Sequence, residues 1–254
     1  MRNNQIFCAG ITGASLYAAT YLRELNLPVV NDPDESVGHL LLDIPSLNSE
    51  GHLRGGGSVD KLLGSFTSDA VIYGGNLIHP SFSHYQTVDF LQDPSYLAEN
   101  AYITAECALD VAFPYLNVTL RNCPVLIIGW GRIGKCLGRL LKSIGADVTI
   151  AARKDADRAI IHALGYHAAD TSVLEDTLAH YRLIFNTVPC PILNAAQMES
   201  CHPDCVKIEL ASSDGLEGDD IIIARGLPGI HMPESSGKLI AQTFIKYYQK
   251  EETI

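Results

Sequence analysis

The stretch VLIIGWGRIG, Val125 to Gly134, places three glycines at the spacing Gly-x-Gly-x-x-Gly. Residues of that type and spacing can seat a diphosphate. Gly129 allows a tight turn out of a strand, Gly131 lets a pyrophosphate approach the backbone, and Gly134 lets a helix pack closely on the sheet. A glycine turn alone also serves as a plain bend, so its context decides. In front of it, Val125 to Ile128 read as a buried strand; behind it, KCLGRLLKSIG has a helical pattern that stops at Gly145. The amides and dipole opening that helix would face the phosphates. Arg132 adds a positive charge inside the turn, and Trp130 and Ile133 complete the loop. We expect a dinucleotide here.

The second strand of such a unit selects the nucleotide. An acid at its end accepts hydrogen bonds from the adenosine ribose of NAD, whereas arginine favours the 2'-phosphate of NADP. The strand DVTIA runs into AARKDADR: Ala151 and Ala152 offer no acid, and Arg153, Lys154 and Arg158 supply positive charge. Asp147 sits at the other end of the strand and is no substitute. The expected cofactor is NADP, with NAD as the alternative.

Chemistry is expected beyond the carboxyl ends of the strands, in the cleft with the other domain. The segments there are NTVPCP (Asn186 to Pro191), ASSDG (Ala211 to Gly215) and RGLPGIHMPESSG (Arg225 to Gly237). Thr187, Val188 and Pro189 would shape a nicotinamide wall, and Ser212 and Ser213 offer hydroxyls to a ligand. Glu106, within TAEC, and His231 are the titratable candidates for proton transfer, with Ser212 as a third catalytic candidate. Cys190 has no base near it in sequence and reads as an inert buried thiol. The cluster CHPDC, Cys201 to Cys205, contains zinc-ligand types, but no second Cys/His pair completes four-fold coordination, so no metal is expected.

These residues need elements to position them. The first hundred residues alternate apolar runs and helical patterns: IFCAG, GASLYAATYLREL, LPVV, GHLLLDIP and DAVIYGG. Two polar connections, PSLNSEG and LRGGGS, follow a strand, where open α/β sheets place binding loops. Residues 96–116 read as a connecting helix, and five further strand-like runs alternate with helical segments: CPVLIIG, ADVTIAAR, YRLIFNTVP, VKIELAS and DIIIARGLPG. The expected fold class is α/β in two domains: a C-terminal, doubly wound parallel Rossmann sheet and a smaller N-terminal α/β domain of flavodoxin or Rossmann type, joined by long helices. The expected bounds are residues 1–97 for the N-terminal substrate domain and 98–232 for the linker helix and nucleotide domain. A last helix over 233–254, with an apolar stripe at Leu239, Ile240, Phe244 and Tyr247 or Tyr248, is expected to pack back on the first domain.

Composition agrees with this reading. The 254 residues suit two domains, and 47% hydrophobic with 19% charged residues is the balance of a globular protein. A net charge of -11 disfavours nucleic acid as a partner. The uncharged run Asn3 to Leu22 is broken by Gly10, Gly13 and polar residues, so it reads as strand, turn and helix rather than export signal or membrane span. Seven cysteines, an odd count, then read as free thiols in a reducing cytoplasm.

Taken together, VLIIGWGRIGKCLGRLLKSIGADVTIAAR, IFNTVPCPILN, IELASSDG and ARGLPGIHMPESSGKLIAQ resemble the family of dipicolinate synthase A-type subunits, from about Tyr102 to Tyr248. IPSLNSEG in the first domain is similar to that family's proline- and glycine-containing loop. The resemblance implies a two-domain oxidoreductase that uses NADP or NAD to form dipicolinate, the pyridine dicarboxylate of bacterial spores, from a dihydrodipicolinate-type precursor of the lysine pathway. It implies, as partner, a second, flavoprotein-like subunit of the same synthase, and a homo-oligomer is expected. Carried over residue by residue, it supports Gly129, Gly131, Arg132, Gly134 and Arg153 for the nucleotide, and Thr187, Pro189, Ser212, Pro228 and Gly229 for the cleft. His231 stands where that family is not expected to have histidine. For the dicarboxylate, loop placement suggests Ser46, Asn48, Asn76, Thr104 and Ser235. Two alternatives stand beside this reading. A D-2-hydroxyacid dehydrogenase has a similar glycine turn, but its arginine after the fifth strand is replaced here by Ser212 and Ser213. The other is a non-catalytic NADP-binding subunit.

Overall fold

A computed structural model describes residues 4–34 and 36–251. The chain divides into two compact units, one of Met1–Asn100 with Pro228–Ile254 and one of Ala101–Leu227.

The first unit is built from β1 (Gln5–Cys8), α1 (Gly13–Glu24), β2 (Val29–Val30), β3 (Val37–Leu41), α2 (Val59–Leu63), β4 (Val71–Gly74) and β5 (Gln86–Asp89). Every pairing is parallel, in the order β2-β1-β3-β4-β5, the doubly wound order of flavodoxin-like sheets. All residues of β3 and β4 are buried, as expected of central strands covered on both faces. In such a sheet the binding crevice opens where the order reverses, here between β1 and β3. Here the crevice is narrowed to a small cavity of about 70 Å³, lined by Ile11, Asp43, Ser46 and Arg54. Asp43, just past β3, accepts hydrogen bonds from the amides of Ile11 and Thr12 (both 3.1 Å) and the hydroxyls of Thr12 (2.7 Å) and Ser15 (2.6 Å). The carboxylate thus stands at the N-terminus of α1, where a phosphate would otherwise bind.

α3 (Pro94–Ala112) leads out of the first unit. The second unit contains β6 (Pro124–Ile128), α4 (Arg132–Ser143), β7 (Asp147–Ala151), α5 (Asp155–Ala163), β8 (His167–Ala169), β9 (Leu183–Asn186), α6 (Ala195–Met198), β10 (Val206–Glu209) and β11 (Ile221–Ile223). Its sheet is parallel throughout, in the order β11-β10-β9-β6-β7-β8. This is the two-winged arrangement of dinucleotide-binding sheets, with its reversal between β6 and β9. Val125 to Ile128 are all fully buried, and Leu126 and Ile128 share a core with Leu178, Ile184 and Leu193.

α7 (Leu227–His231) and α8 (Pro233–Glu251) close the chain. α8 packs on α1 in the first unit. A Cβ at Gly237 would lie 2.5 Å from both Ala14 O and Tyr17 Cβ, so only glycine allows the two helices to come this close. Further along α8, Phe244 meets Tyr73 with ring centroids 4.6 Å apart, and Tyr248 meets the buried His39 at 4.7 Å. Lys246 Nζ (2.7 Å) and Tyr247 OH (3.1 Å) both donate to Asp93 Oδ2. Among the described residues, no helix is long and apolar enough to cross a membrane.

Candidate functional site

The reversal between β6 and β9 is formed by the glycine turn on one side and the segment after β9 on the other. Gly129 leaves β6 with φ 111° and donates its amide to Ala151 O at 2.9 Å. Thr187 bonds Ile128 O through both its amide and its hydroxyl, each at 2.9 Å. A Cβ on Gly134 would lie 2.2 Å from Gly129 O, so the first turn of α4 rests directly on the loop. Gly131 differs: it caps α4 with extended backbone, and a Cβ there would have nothing within 4 Å. Open space therefore faces the N-terminus of a twelve-residue helix, the arrangement a diphosphate needs. Arg132 is exposed, and Trp130 is half-buried with its ring 6.2 Å from that of Tyr166 and 5.4 Å from Lys135 Nζ. A dinucleotide fits the residues present.

At the end of β7, Ala151 and Ala152 are buried while Arg153 and Lys154 are exposed. Arg158 corrects the sequence reading. Its Nη1 donates to Ala152 O and Arg153 O, both at 2.8 Å, and it pairs with Asp155 and Asp170, so it braces this loop instead of reaching for a ligand.

The segments after β9 and β10 are held by a network that the sequence did not signal. Asn186 and Glu209 are both fully buried. Asn186 Nδ2 donates to both Glu209 oxygens at 2.9 Å and to Val188 O at 3.0 Å, and its Oδ1 accepts from Val188 N at 3.0 Å. Glu209 also accepts from the amides of Ala211 (3.0 Å), Gly215 (2.9 Å) and Leu216 (3.2 Å). A buried carboxylate is tolerable only when so many donors converge on it. Here they fix two loops at once.

Between those loops and α4 lies a cavity of about 440 Å³, bordered by Ile133, Thr187, Pro189, Leu210, Ser212 and Arg225. Its size suits a small-molecule site. The first unit has a larger hollow, about 530 Å³, between Leu77 and Thr87, but its lining holds no lysine or arginine and no glycine turn. Chemistry, not size, points to the cavity of the second unit.

Of the three proposed catalytic residues, only Ser212 borders this cavity. Glu106 is half-buried on α3, and His231 is exposed at the end of α7. Among the proposed substrate residues, Ser46 is 1% exposed, its hydroxyl donating to Asp43 O at 2.8 Å and accepting from Gly75 N at 3.1 Å beside the small cavity of the first unit. Asn48 Oδ1 accepts from the amides of Glu50 and His52, both at 3.0 Å, and Asn76 takes φ 59° at a turn whose amide donates to Asp89. Both Asn residues shape turns. Thr104 is buried in α3, and Ser235 is exposed in the first turn of α8. Cys190 is exposed, not buried as its sequence context suggested. Among the described residues, no group of three His, Cys, Asp or Glu side chains could hold a metal ion. Arg225 is the residue the sequence reading missed; its signal was only its place after the sixth strand.

No family model matches the chain. In sequence it is similar to the dipicolinate synthase A-type subunit of Bacillus subtilis (strain 168), 29% identical over 155 residues that take in 58% of this chain and 52% of that protein. The match thus spans about half the length of the curated relative. In structure it is similar to the corresponding dipicolinate synthase subunit from Bacillus halodurans, with TM-score 0.84 and 19% identity over 98% of this chain and 99% of that one. It is also similar to a transhydrogenase from Sinorhizobium meliloti, with TM-score 0.73 and 14% identity over 97% and 94%. The fold defines an α/β protein of two compact units, each with a parallel, doubly wound sheet, the second in Rossmann order. Within that class, its motifs and its fold are similar to those of the dipicolinate synthase A-type subunits.

Proposed function

We propose that this chain is an NADP-dependent subunit that forms dipicolinate from a dihydrodipicolinate-type precursor, together with a flavoprotein-like partner subunit. One observation carries the reading: open space before Gly131 and the head of α4, at the reversal of the sheet and beside a cavity of ligand size. A bound nicotinamide would supply hydride acceptance, with a proton leaving as the partly reduced ring becomes aromatic. The chain's own residues have simpler tasks. The amides of α4 and Arg132 hold the diphosphate, and Arg153 with Lys154 answers the adenosine 2'-phosphate. Thr187 and Pro189 wall the ring, and Ser212 offers a hydroxyl to a ligand.

The purified chain, alone and with the flavoprotein-like partner, should be incubated with the precursor and NADP. NADPH and dipicolinate are expected to appear in equal amounts by absorbance. A second reading, a cofactor-holding subunit without turnover, is favoured by the presence of only one proposed catalytic side chain at the cavity. No product in either mixture, despite bound cofactor, would establish it. NADH binding about tenfold tighter than NADPH would overturn the choice of NADP.

A further inference from the structure

We propose that Arg225 is the cation that grips a carboxylate of the substrate in the cavity of the second unit, a role that rests on the function proposed above. The residue follows β11, and Ala224 before it donates its amide to Glu209 O at 2.9 Å, tying the base of Arg225 to the strand that carries the buried carboxylate network. Its guanidinium is itself fixed. Nε donates to Ala211 O at 2.7 Å and Nη2 to Asp214 Oδ1 at 2.6 Å, which draws the group back over the loop that presents Ser212. The guanidinium that a hydroxyacid dehydrogenase would place after the fifth strand is here brought in from after the sixth.

Two bonds leave three of the five N–H groups of an arginine for a ligand. Among the described residues, Arg225 is the only charged one bordering the cavity, in a chain whose net charge is -11. Beside apolar neighbours such as Ile133 and Leu210, a fixed, planar cation selects a planar anion, and a carboxylate matches its fork. The phosphates of a dinucleotide are not the match. They belong at the amides that head α4 and past β7, and β7 lies four strands from β11, roughly 19 Å at ordinary strand spacing, while α4 brings only the apolar Ile133 to the cavity. Asp214 has a second consequence: its carboxylate occupies part of the fork, so it opposes an incoming anion as well as orienting the arginine.

The test is calorimetric titration of dipicolinate into the NADPH-loaded full chain, as wild type, Arg225→Gln, Arg225→Lys and Asp214→Asn. Arg225→Gln is expected to weaken dipicolinate about tenfold or more while leaving the NADPH Kd within about twofold. Arg225→Lys should restore only part of the loss, because an ammonium cannot present a fork. Asp214→Asn should tighten dipicolinate, by about two- to fivefold at low salt. Wild-type dipicolinate affinity in Arg225→Gln overturns the proposal. So does a parallel loss of NADPH, which would make Arg225 a cofactor residue, and so does a wild-type chain that binds NADPH but no dipicolinate. If Arg225→Gln fails to fold, unchanged binding in both Arg225→Lys and Asp214→Asn overturns it. A wild-type chain that binds no NADPH defeats the proposed function instead; dipicolinate titrated into the free chain then decides Arg225, absence of binding counting against it.

Discussion

Arg153 and Arg158 show how two like residues five positions apart divide their work. Arg158 commits its guanidinium to two backbone carbonyls and two carboxylates, while Arg153 stands exposed at the end of β7. Arg153→Gln should therefore weaken NADPH by about tenfold and leave NADH nearly unchanged, as measured by fluorescence titration. Equal losses for the two cofactors would show that Arg153 does not meet the 2'-phosphate. At this scale the glycine turn was legible in the sequence because its requirements are local: a φ of 111° at Gly129 and a Cβ clash at Gly134 arise within six residues. Glu209 and Arg225 were not legible. The donors that make Glu209 tolerable come from Asn186, Ala211, Gly215 and Leu216, and no spacing rule joins them. Arg225 reads as a loop residue until Ala211 and Asp214 are seen to hold it. Ser46 is the converse case: a serine in a polar loop looks unengaged, and the fold shows its hydroxyl bonded to Asp43 O and Gly75 N.

α8 was the most legible helix, since its stripe of Leu239, Ile240, Phe244 and Tyr248 is buried as the periodicity requires. β5 and β8 were missed. QTVD and HAA are short edge strands with no apolar run, and an edge strand is defined by the neighbour it pairs with more than by its own composition. What fastens α8 is partly electrostatic. Burial raises the Asp93 carboxyl, but hydrogen bonds from Lys246, the Ser95 amide, Tyr247 and the Tyr96 amide outweigh it and bring the pKa from 3.8 down to about 2. A carboxyl depressed on folding stabilises the folded state fully above its unfolded value and loses that contribution as pH falls toward the folded one. Melting temperature should therefore fall between pH 4 and pH 2 more steeply in the wild type than in Asp93→Asn. At neutral pH the variant should melt a few degrees lower, having lost its charged partner for Lys246. Parallel curves for the two proteins would remove Asp93 from the account.

At the scale of the whole molecule, the chain builds a parallel sheet with a crevice twice, once in each unit. The two crevices share geometry and differ in electrostatics. Before α4 the backbone faces open space at Gly131, while before α1 the carboxylate of Asp43 already takes the donors that a phosphate would seek. The chain's single tryptophan, Trp130, lies in the open turn and gives a direct optical readout of its filling. Quenching of that fluorescence and the heat of NADPH binding should reach their plateaus together, at about one mole per mole of chain. A stoichiometry of two would require Asp43 to surrender its four bonds. Internal repetition of an architecture is thus uncoupled from repetition of its ligand: a single acidic side chain turns one copy of the nucleotide fold into a receptor that carries its own counterfeit anion.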